Sequence, residues 1–159
     1  MGSGVAEQKH LYDYYIDGHG NWFCEGNPVT DPELFRMLSR SLFEKDGRYY
    51  LRCEGEVHPV RIADAPLWVR YVFIGEDADG TLRSVDIQLE DGRREPLRPE
   101  TLAVKGDNAL YCLATRKNLL ARFGKSAYYE LASRLRLDSD SKTYTLTISG
   151  RTYRLTCRD

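Results

Sequence analysis

The stretch Tyr49-Tyr-Leu-Arg-Cys-Glu-Gly55 returns in similar form near the end of the chain, as Tyr144-Thr-Leu-Thr-Ile-Ser-Gly150. In both stretches apolar or aromatic residues alternate with polar ones, which is typical of a strand with one covered face. When the two glycines are aligned, apolar positions coincide on both sides of the turn. The coinciding pairs are Tyr49 and Tyr144, Leu51 and Leu146, Cys53 and Ile148, Val60 and Leu155, and Ile62 and Cys157.

An amphipathic helix pattern precedes each copy. Before the first copy, Thr30-Asp-Pro-Glu33 predicts a capping box in which the Thr30 hydroxyl accepts a hydrogen bond from the Glu33 amide, and Asp46-Gly47 ends the helix. Before the second copy, the pattern predicts a helix near residues 126–136. The predicted apolar stripes are Leu34, Met37, Leu38 and Leu42, and then Ala127, Tyr128, Leu131 and Leu135. A helix in front of both copies favours duplication of a helix-plus-hairpin unit.

Aromatic and β-branched runs predict strands in the first part of the chain. Residues 14–16 and 21–24 flank Asp17-Gly-His-Gly20, which predicts a β-hairpin. Because Glu-Gly is a poor type I′ pair, Glu54-Gly55 predicts a type I turn with a bulge. Pro59 places the returning strand at a sheet edge, or puts a bulge in it.

The second part of the chain gives a comparable pattern of strands. Residues 67–74 and 81–89 predict two strands joined by an acidic turn, and residues 109–113 predict another. Residues 116–123 fit a helix or a strand equally well, and the sequence leaves that choice open.

These elements predict an α+β fold of two related halves that share one core. Each half is a small, mostly antiparallel sheet with one helix laid over it. Asp64-Ala-Pro66 marks the boundary, so the halves span residues 12–66 and 67–159. A groove between duplicated halves is the expected place for a ligand.

Composition excludes several classes of protein. The chain is 42% hydrophobic and 30% charged, and 23 basic residues nearly balance 24 acidic ones, so a strongly basic nucleic-acid binder is not expected. The sequence has no apolar run of the roughly 20 residues that span a bilayer, and no apolar signal core. Four widely spaced cysteines lack metal-site spacing, with Cys53 and Cys157 expected as buried apolar residues. We therefore expect a cytoplasmic protein without membrane contact.

No catalytic motif is present in the sequence. The three histidines, His10, His19 and His58, fall in a tail, a turn and a strand, where we expect them to be solvated. Nucleotide-binding glycine loops, zinc-protease helices and serine-nucleophile turns do not occur. The pattern favours a binding protein without cofactor or metal and leaves enzymatic activity, such as that of a hydrolase, open.

Taken in order, the motifs of this chain resemble the bacterial family called domain of unknown function 1285. The resemblance spans residues 14–135, and each motif alone is weak. In the first half it is carried by Ile16, Gly18, Trp22, Gly26, Pro28-Val29, the 34–42 helix, Tyr50, Arg52 and Asp64-Ala-Pro66. In the second half it is carried by Tyr111, Leu113, Arg116, Leu119-Leu-Ala-Arg122 and Ala127-Tyr-Tyr-x-Leu131.

The resemblance implies two related halves, of which the second is superficially like pleckstrin-homology domains. It also implies a pocket between the halves for a nucleotide-like molecule, and a role in signalling. The chain departs from the family pattern at Cys53-Glu54, where Thr-Pro is usual, and at Glu95-Pro96-Leu97, where the family has His-Pro-Leu. We therefore treat the chain as a divergent member.

Basic and aromatic residues in the second half are the candidate ligand contacts. Guanidinium groups fork onto phosphate or carboxylate groups, and aromatic rings stack on bases or on arginine. The alternative is that Arg116 and Arg122 pair with acids such as Asp64 and Glu130. Trp22 is either a core ring or a pocket wall. The candidate ligand-binding residues are Arg116, Arg122, Lys117, Tyr111, Tyr128 and Trp22.

Two functional hypotheses follow from this pattern. The first is a non-enzymatic regulatory or sensor domain that binds a small anionic, nucleotide-like ligand between its halves. The second is a protein–protein interaction module without a small-molecule ligand, which uses a sheet edge or exposed aromatic residues to hold a signalling partner.

Overall fold

The structure, a computed structural model, describes residues 11–106 and 109–158. The chain folds as two compact units, of which the first ends at Pro66 and the second begins at Leu67. Two α-helices, one 3₁₀ helix and three antiparallel or mixed sheets form the described part. The chain is therefore an α+β protein, as the sequence predicts. His10, expected to be solvated, lies outside the described residues.

The described part of the first unit, from residue 11 onward, is a six-stranded sheet with one helix. Its elements are β1 (Tyr14–Ile16), β2 (Trp22–Cys24), β3 (Asn27–Pro28), α1 (Pro32–Arg40), β4 (Phe43–Lys45), β5 (Arg48–Cys53) and β6 (Glu56–Ile62). The strand order is β3-β2-β1-β6-β5-β4. The predicted hairpin β1–β2 is present, and β1 also pairs with β6 in parallel, with Tyr14 opposite Val60.

Helix α1 buries a different face from the predicted one. Leu38 and Leu42 are fully buried, but Met37 is 52% exposed and Leu34 is also exposed. The helix has only nine residues, so its core face is narrow and half of the predicted stripe turns to solvent. Its N-cap is Asp31 rather than Thr30, and the Asp31 carboxylate accepts a hydrogen bond from the Glu33 amide.

Two other expectations for the first unit are wrong. His58 is buried, because its Nδ1 accepts a hydrogen bond from the Tyr12 amide at 3.1 Å and its ring packs against Tyr12 and Tyr14. Pro59 lies in an inner strand that pairs with β5 in unbroken register. The strand tolerates proline there because its pairing with β1 begins one residue later, at Val60.

The second unit contains a seven-stranded sheet and a three-stranded sheet. The order of the first is β16-β10-β11-β12-β7-β8-β9, and that of the second is β13-β14-β15. The elements are β7 (Leu67–Glu76), β8 (Leu82–Leu89), β9 (Arg94–Pro96), the 3₁₀ helix (Pro99–Thr101), β10 (Ala103–Lys105), β11 (Ala109–Ala114), β12 (Leu119–Phe123), α2 (Lys125–Ala132), β13 (Arg136–Asp138), β14 (Thr143–Ile148), β15 (Arg151–Arg154) and β16 (Thr156–Arg158).

The structure decides the ambiguous part of the second unit. Residues 119–123 form strand β12, and the residues before them form a turn. Helix α2 follows directly but ends at Ala132, short of the predicted residue 136, and buries Ala127 and Leu131 of the predicted stripe. Cys112 is buried, but Cys157, expected inside, is exposed. Among the described helices none has the length and apolar character needed to cross a membrane.

The same series of strand pairings occurs in both units. Strands β1 and β10 each pair with the following strand in antiparallel fashion and with the last strand in parallel. A helix and a short strand precede the hairpins β5–β6 and β14–β15. The hairpin turns Glu54-Gly55 and Ser149-Gly150 have φ of 52° and 76°, and of 49° and 80°. Both central residues are therefore left-handed, as in a type I′ turn, and the predicted type I turn with a bulge is wrong.

Candidate functional site

Arg122 lies between two aromatic rings on one face of the seven-stranded sheet. It is opposite Tyr111 on β11 and opposite Trp68 on β7, so the three side chains project in the same direction. The Arg122 guanidinium carbon lies 5.3 Å from the centre of the Trp68 ring and 5.8 Å from that of Tyr111. The negative faces of the rings stabilise the positive charge of Arg122 at this position.

Burial limits what this aromatic pair can contact. Tyr111 is only 2% exposed, and Arg122 and Trp68 are half-buried. The Trp68 Nε1–H is shielded from water and has no hydrogen-bond acceptor among the described residues. A buried donor without an acceptor lowers the stability of the fold by about 1–3 kcal/mol, so an acceptor at the Trp68 Nε1–H would be stabilising. The Tyr111 ring, in contrast, has little surface left for stacking on a ligand.

Arg116 and Lys117 lie at the opposite end of β12, in the turn that joins it to β11. Both side chains are exposed. They line a surface depression of about 360 Å³ together with residues from β9 and the turn before it. The lining residues are Arg93, Arg94, Glu95, Thr115, Arg116 and Lys117. Four of these six side chains are basic, so the depression has a cationic lining.

The basic side chains of the depression differ in whether they form ion pairs with acids of the described chain. Arg93 pairs with the buried Asp91, with 2.6 Å between Nη2 and Oδ2. Arg94 pairs with Asp86 at 3.2 Å. Arg116 makes no hydrogen bond or ion pair within residues 11–106 and 109–158, so it does not pair with Asp64 or Glu130, the acids named in the alternative that the sequence left open.

Hydrogen bonds fix the turn that carries Arg116. Glu95 accepts the Thr115 amide with both carboxylate oxygens, at 3.0 and 3.1 Å. The Arg98 guanidinium donates to the Thr115 carbonyl at 3.0 Å and also to the side chain of Asn118. Thr115 and Asn118 both have left-handed backbones, with φ of 64° and 54°. The turn is therefore held in one conformation, with the side chain of Arg116 directed outward.

Tyr128 and Trp22, the other two residues predicted to contact a ligand, lie in different surroundings. Tyr128 is a half-buried residue of α2, and its ring packs edge-on against Tyr129 at 5.3 Å. Trp22 belongs to the first unit and is buried there, edge-to-face with Tyr14 and Phe35 at 6.5 and 6.1 Å. Trp22 is thus a core ring of its unit, the first of the two alternatives that the sequence left open.

Three residues at these sites were not among the sequence candidates. Arg93 and Arg94 form a basic doublet after the Asp91-Gly92 turn, and that doublet was the available signal. Trp68 stands in the first strand after the boundary, and nothing in the sequence links it to Arg122. Only the parallel pairing of β7 with β12 brings these two residues together.

Comparisons with known proteins show which fold this is. No family model matches the sequence, and no curated protein does either. A DUF1285 family protein from Silicibacter pomeroyi DSS-3 has a similar crystal structure, with a TM-score of 0.74 and 22% identity. The match covers 92% of this chain and 80% of that chain. A DUF1285 family protein from Shewanella baltica OS155 matches with a TM-score of 0.59 and 17% identity, over 76% of this chain and 90% of that chain. The chain therefore has the fold of the DUF1285 family proteins, which confirms at the level of the fold the resemblance that its motifs indicated.

Proposed function

We propose that the chain is a regulatory or sensor domain whose second unit binds a small anionic ligand at Arg116. The observation that carries this proposal is the cationic depression, which contains four basic side chains and one carboxylate. Arg116 is the member of this set whose charge no acid of the described chain neutralises. A ligand that supplies negative charge would complete the arrangement.

The lining favours a phosphate group as the part of the ligand that is recognised. A guanidinium forks onto two phosphate oxygens, and Lys117 adds a second positive charge beside Arg116. None of the described residues that line the depression is aromatic, so the base of a nucleotide-like ligand would have no stacking partner there. The expected ligands are therefore phosphorylated metabolites or nucleotides held by their phosphates.

Glu95 has a supporting role in this proposal. Its carboxylate accepts a hydrogen bond from the Thr115 amide, whose positive N–H dipole offsets part of the charge that would repel an anion. The same contact orients the turn that presents Arg116. The DUF1285 resemblance places a histidine at this position, so we propose that this divergent member keeps the turn and binds the ligand with a different set of charges.

We also propose that the two units descend from one module by duplication. Support comes from the shared order of pairings and from the identical extent of β5 and β14 when Gly55 is aligned with Gly150. Leu51 and Leu146 are then both fully buried. In this proposal strands β7 to β9 are an addition to the second copy, and Arg93 and Arg94 of the ligand site come from that addition.

Thermal unfolding in the presence of pyrophosphate, nucleotides and sugar phosphates tests the anion site. A ligand at about 100 times its Kd stabilises the fold by about 2.7 kcal/mol, which raises the Tm by roughly 5–10 °C in a chain of this size. Arg116→Ala should abolish the gain. The matched control is Arg136→Ala, another exposed arginine of the second unit, which should keep it. A flat response across the panel, or equal gains in both variants, contradicts the proposal.

A second candidate function, protein binding, rests on strand β13. This strand lies at the edge of the three-stranded sheet, and its Leu137 is 60% exposed opposite Tyr144, which is 43% exposed. An edge with unpaired backbone groups and adjacent apolar side chains is suited to pairing with a strand of another protein. This function predicts a partner whose binding is lost in Leu137→Lys and retained in Arg116→Ala, without stabilisation by any small molecule.

A further inference from the structure

The six-stranded sheet of the first unit has one face that α1 does not cover. Helix α1 lies on the face formed by Ile16, Trp22 and Leu51, as the contact between Trp22 and Phe35 shows. Side chains alternate along a strand, so the neighbours of these residues project to the opposite side. That opposite side, here called the open face, carries the side chains of Tyr15, Phe23, Phe43, Tyr50 and Pro59.

The strand register places the aromatic rings of the open face in two pairs, one on each side of strand β6. Phe23 is directly opposite Tyr15, and their ring centres are 6.2 Å apart. Phe43 is directly opposite Tyr50, with ring centres 5.7 Å apart and planes inclined by 28°. All four rings are half-buried, so each retains exposed surface. Six strands at a spacing of about 4.8 Å make the sheet about 24 Å wide.

Basic side chains stand among these rings. Arg52 lies over Phe43 at 5.0 Å, and Arg61 lies over Tyr15 at 4.7 Å. Lys45 and Arg48, which are opposite each other at the β4–β5 end of the face, are also exposed. One of these four cations, Arg61, is paired with an exposed carboxylate, that of Asp13 at 3.0 Å.

Two shallow depressions border Tyr50 on this face. One has Arg48, Pro59, Arg61 and Asp64 in its lining, and the other has Phe43, Lys45, Asp46, Arg52 and Val57. Both lie wholly within the first unit. Each therefore offers an aromatic or proline surface beside two cations and one carboxylate.

We propose that the open face binds a single-stranded nucleic acid. Exposed aromatic rings on a sheet stack on unpaired bases, and cations between the rings contact the phosphates that link those bases. Guanidinium groups already resting on rings are positioned to stack on a base as well. A strictly apolar protein partner would have to desolvate all four cations, so the charge pattern favours a polyanion.

This inference is independent of the anion site at Arg116, because it concerns a different unit and a polymeric ligand. The near-zero net charge of the chain is no obstacle, since the four cations of the open face outnumber the three carboxylates beside them, Asp13, Asp46 and Asp64. Acidic residues elsewhere, such as Glu33 and Glu44, balance the total without lying on that face.

The test is fluorescence anisotropy with a labelled oligouridylate of about 10 nucleotides. Wild-type protein should bind it saturably at low salt. The logarithm of the association constant should fall linearly with the logarithm of the salt concentration. The slope should be about −0.7 for each phosphate contacted. A matched oligodeoxythymidylate should bind with similar affinity, because stacking and phosphate contact do not require the 2′-hydroxyl. A duplex of equal length should bind at least about 10-fold more weakly, since its bases are not free to stack.

Two pairs of substitutions separate stacking from charge. Tyr50→Ala with Phe43→Ala should weaken binding about 10-fold or more, and Arg52→Glu with Arg61→Glu should weaken it and flatten the salt slope. The control Arg36→Glu, with Arg40→Glu, reverses two exposed charges on α1 and should leave binding unchanged. Because ring removal can disturb the sheet, circular dichroism and the Tm of each variant are compared, and the exposed arginine pair is decisive if the ring variants unfold.

Three results would overturn the inference. One is the absence of saturable binding by the wild-type protein at low salt. Another is equal weakening by the α1 control and the open-face arginine pair, which would mean unspecific attraction. The third is a combination of two observations: an acidic peptide displaces the oligouridylate, and the folded ring variants bind the oligouridylate as tightly as the wild type does. This combination would indicate a protein partner.

Discussion

The guanidinium carbon of Arg94 lies 3.8 Å from the centre of the Phe73 ring, and its Nε donates a hydrogen bond to Asp86 at 3.2 Å. These contacts tie β9 to β8 and β7, so Arg94 is held by the fold on two sides. Arg116, which lines the same depression, has no such contact in the described chain. The two arginines therefore have separate tasks: Arg94 supports the sheet edge, and Arg116 is available to a ligand.

Substitution of these two arginines should affect the stability of the fold to different extents. Arg94→Ala loses a cation–π contact and a surface ion pair, so the free energy of unfolding should fall by about 1–2 kcal/mol. Arg116→Ala removes no hydrogen bond, ion pair or ring contact to the described residues and should change the free energy of unfolding by less than about 0.5 kcal/mol. Urea unfolding followed by tryptophan fluorescence measures both. Equal losses would show that Arg116 is part of the fold.

Asparagine should stabilise the two hairpin turns to different extents. Glu54 and Ser149 adopt left-handed backbones, which asparagine tolerates better. Glu54→Asn should raise the free energy of unfolding by about 0.5–1 kcal/mol. Ser149→Asn should raise it less, because it removes the hydrogen bond that the Ser149 hydroxyl donates to the Arg83 carbonyl. Glu44→Asn, in a strand, should give no gain. A loss of stability in Glu54→Asn would contradict the type I′ conformation of that turn, and with it one support for duplication.

The cysteines should differ sharply in reactivity. Burial raises the pKa of the Cys112 thiol to about 12, so this group stays protonated and is shielded from reagents at neutral and mildly alkaline pH. Cys157 is exposed. Brief treatment of the folded protein with iodoacetamide should modify Cys157 and spare Cys112, as peptide mass spectrometry would show. Both should react in denaturant, and early modification of Cys112 in the native protein would contradict its burial.

The ion pair between Glu76 and Arg134 should make stability depend on pH in the acid range. The hydrogen bond from Arg134 and its positive charge lower the pKa of Glu76 from its ordinary value. A lowered carboxyl pKa contributes stability at neutral pH, and this contribution is lost as the pH falls through the folded-state pKa. Glu76→Gln should therefore be less stable than wild type at pH 7, and the difference should shrink as the pH falls through the folded-state pKa of Glu76. Glu44→Gln serves as the control, and a difference that persists in acid would exclude the ion pair as its cause.

Local sequence signals predicted most of the elements of this fold. The alternation at residues 49–55 and 144–150, and the apolar spacing before them, indicated both hairpins and both helices. Nonlocal pairing was out of reach: nothing in residues 14–16 indicates that β1 pairs in parallel with β6 across the helix. The face of α1 was also missed, because a nine-residue helix with several apolar residues fits more than one orientation.

The contacts of the candidate site also divide into those that the sequence predicts and those that depend on nonlocal strand pairing. Arg116 and Lys117 are neighbours in sequence, so their joint position in one turn follows directly. Arg93 and Arg94 reach that turn only through the β8–β9 hairpin, and Trp68 reaches Arg122 only through strand pairing. Such contacts depend on which strands become neighbours in the sheet, and residue type alone does not determine that order.

Isothermal titration of pyrophosphate into the protein tests the central claim most directly. We predict a saturable signal with one site per chain that weakens as salt rises, is lost in Arg116→Glu and is retained in Arg136→Glu. The same heat in wild type and Arg116→Glu, or no heat above dilution in the wild type at low salt, would contradict an anion site at Arg116.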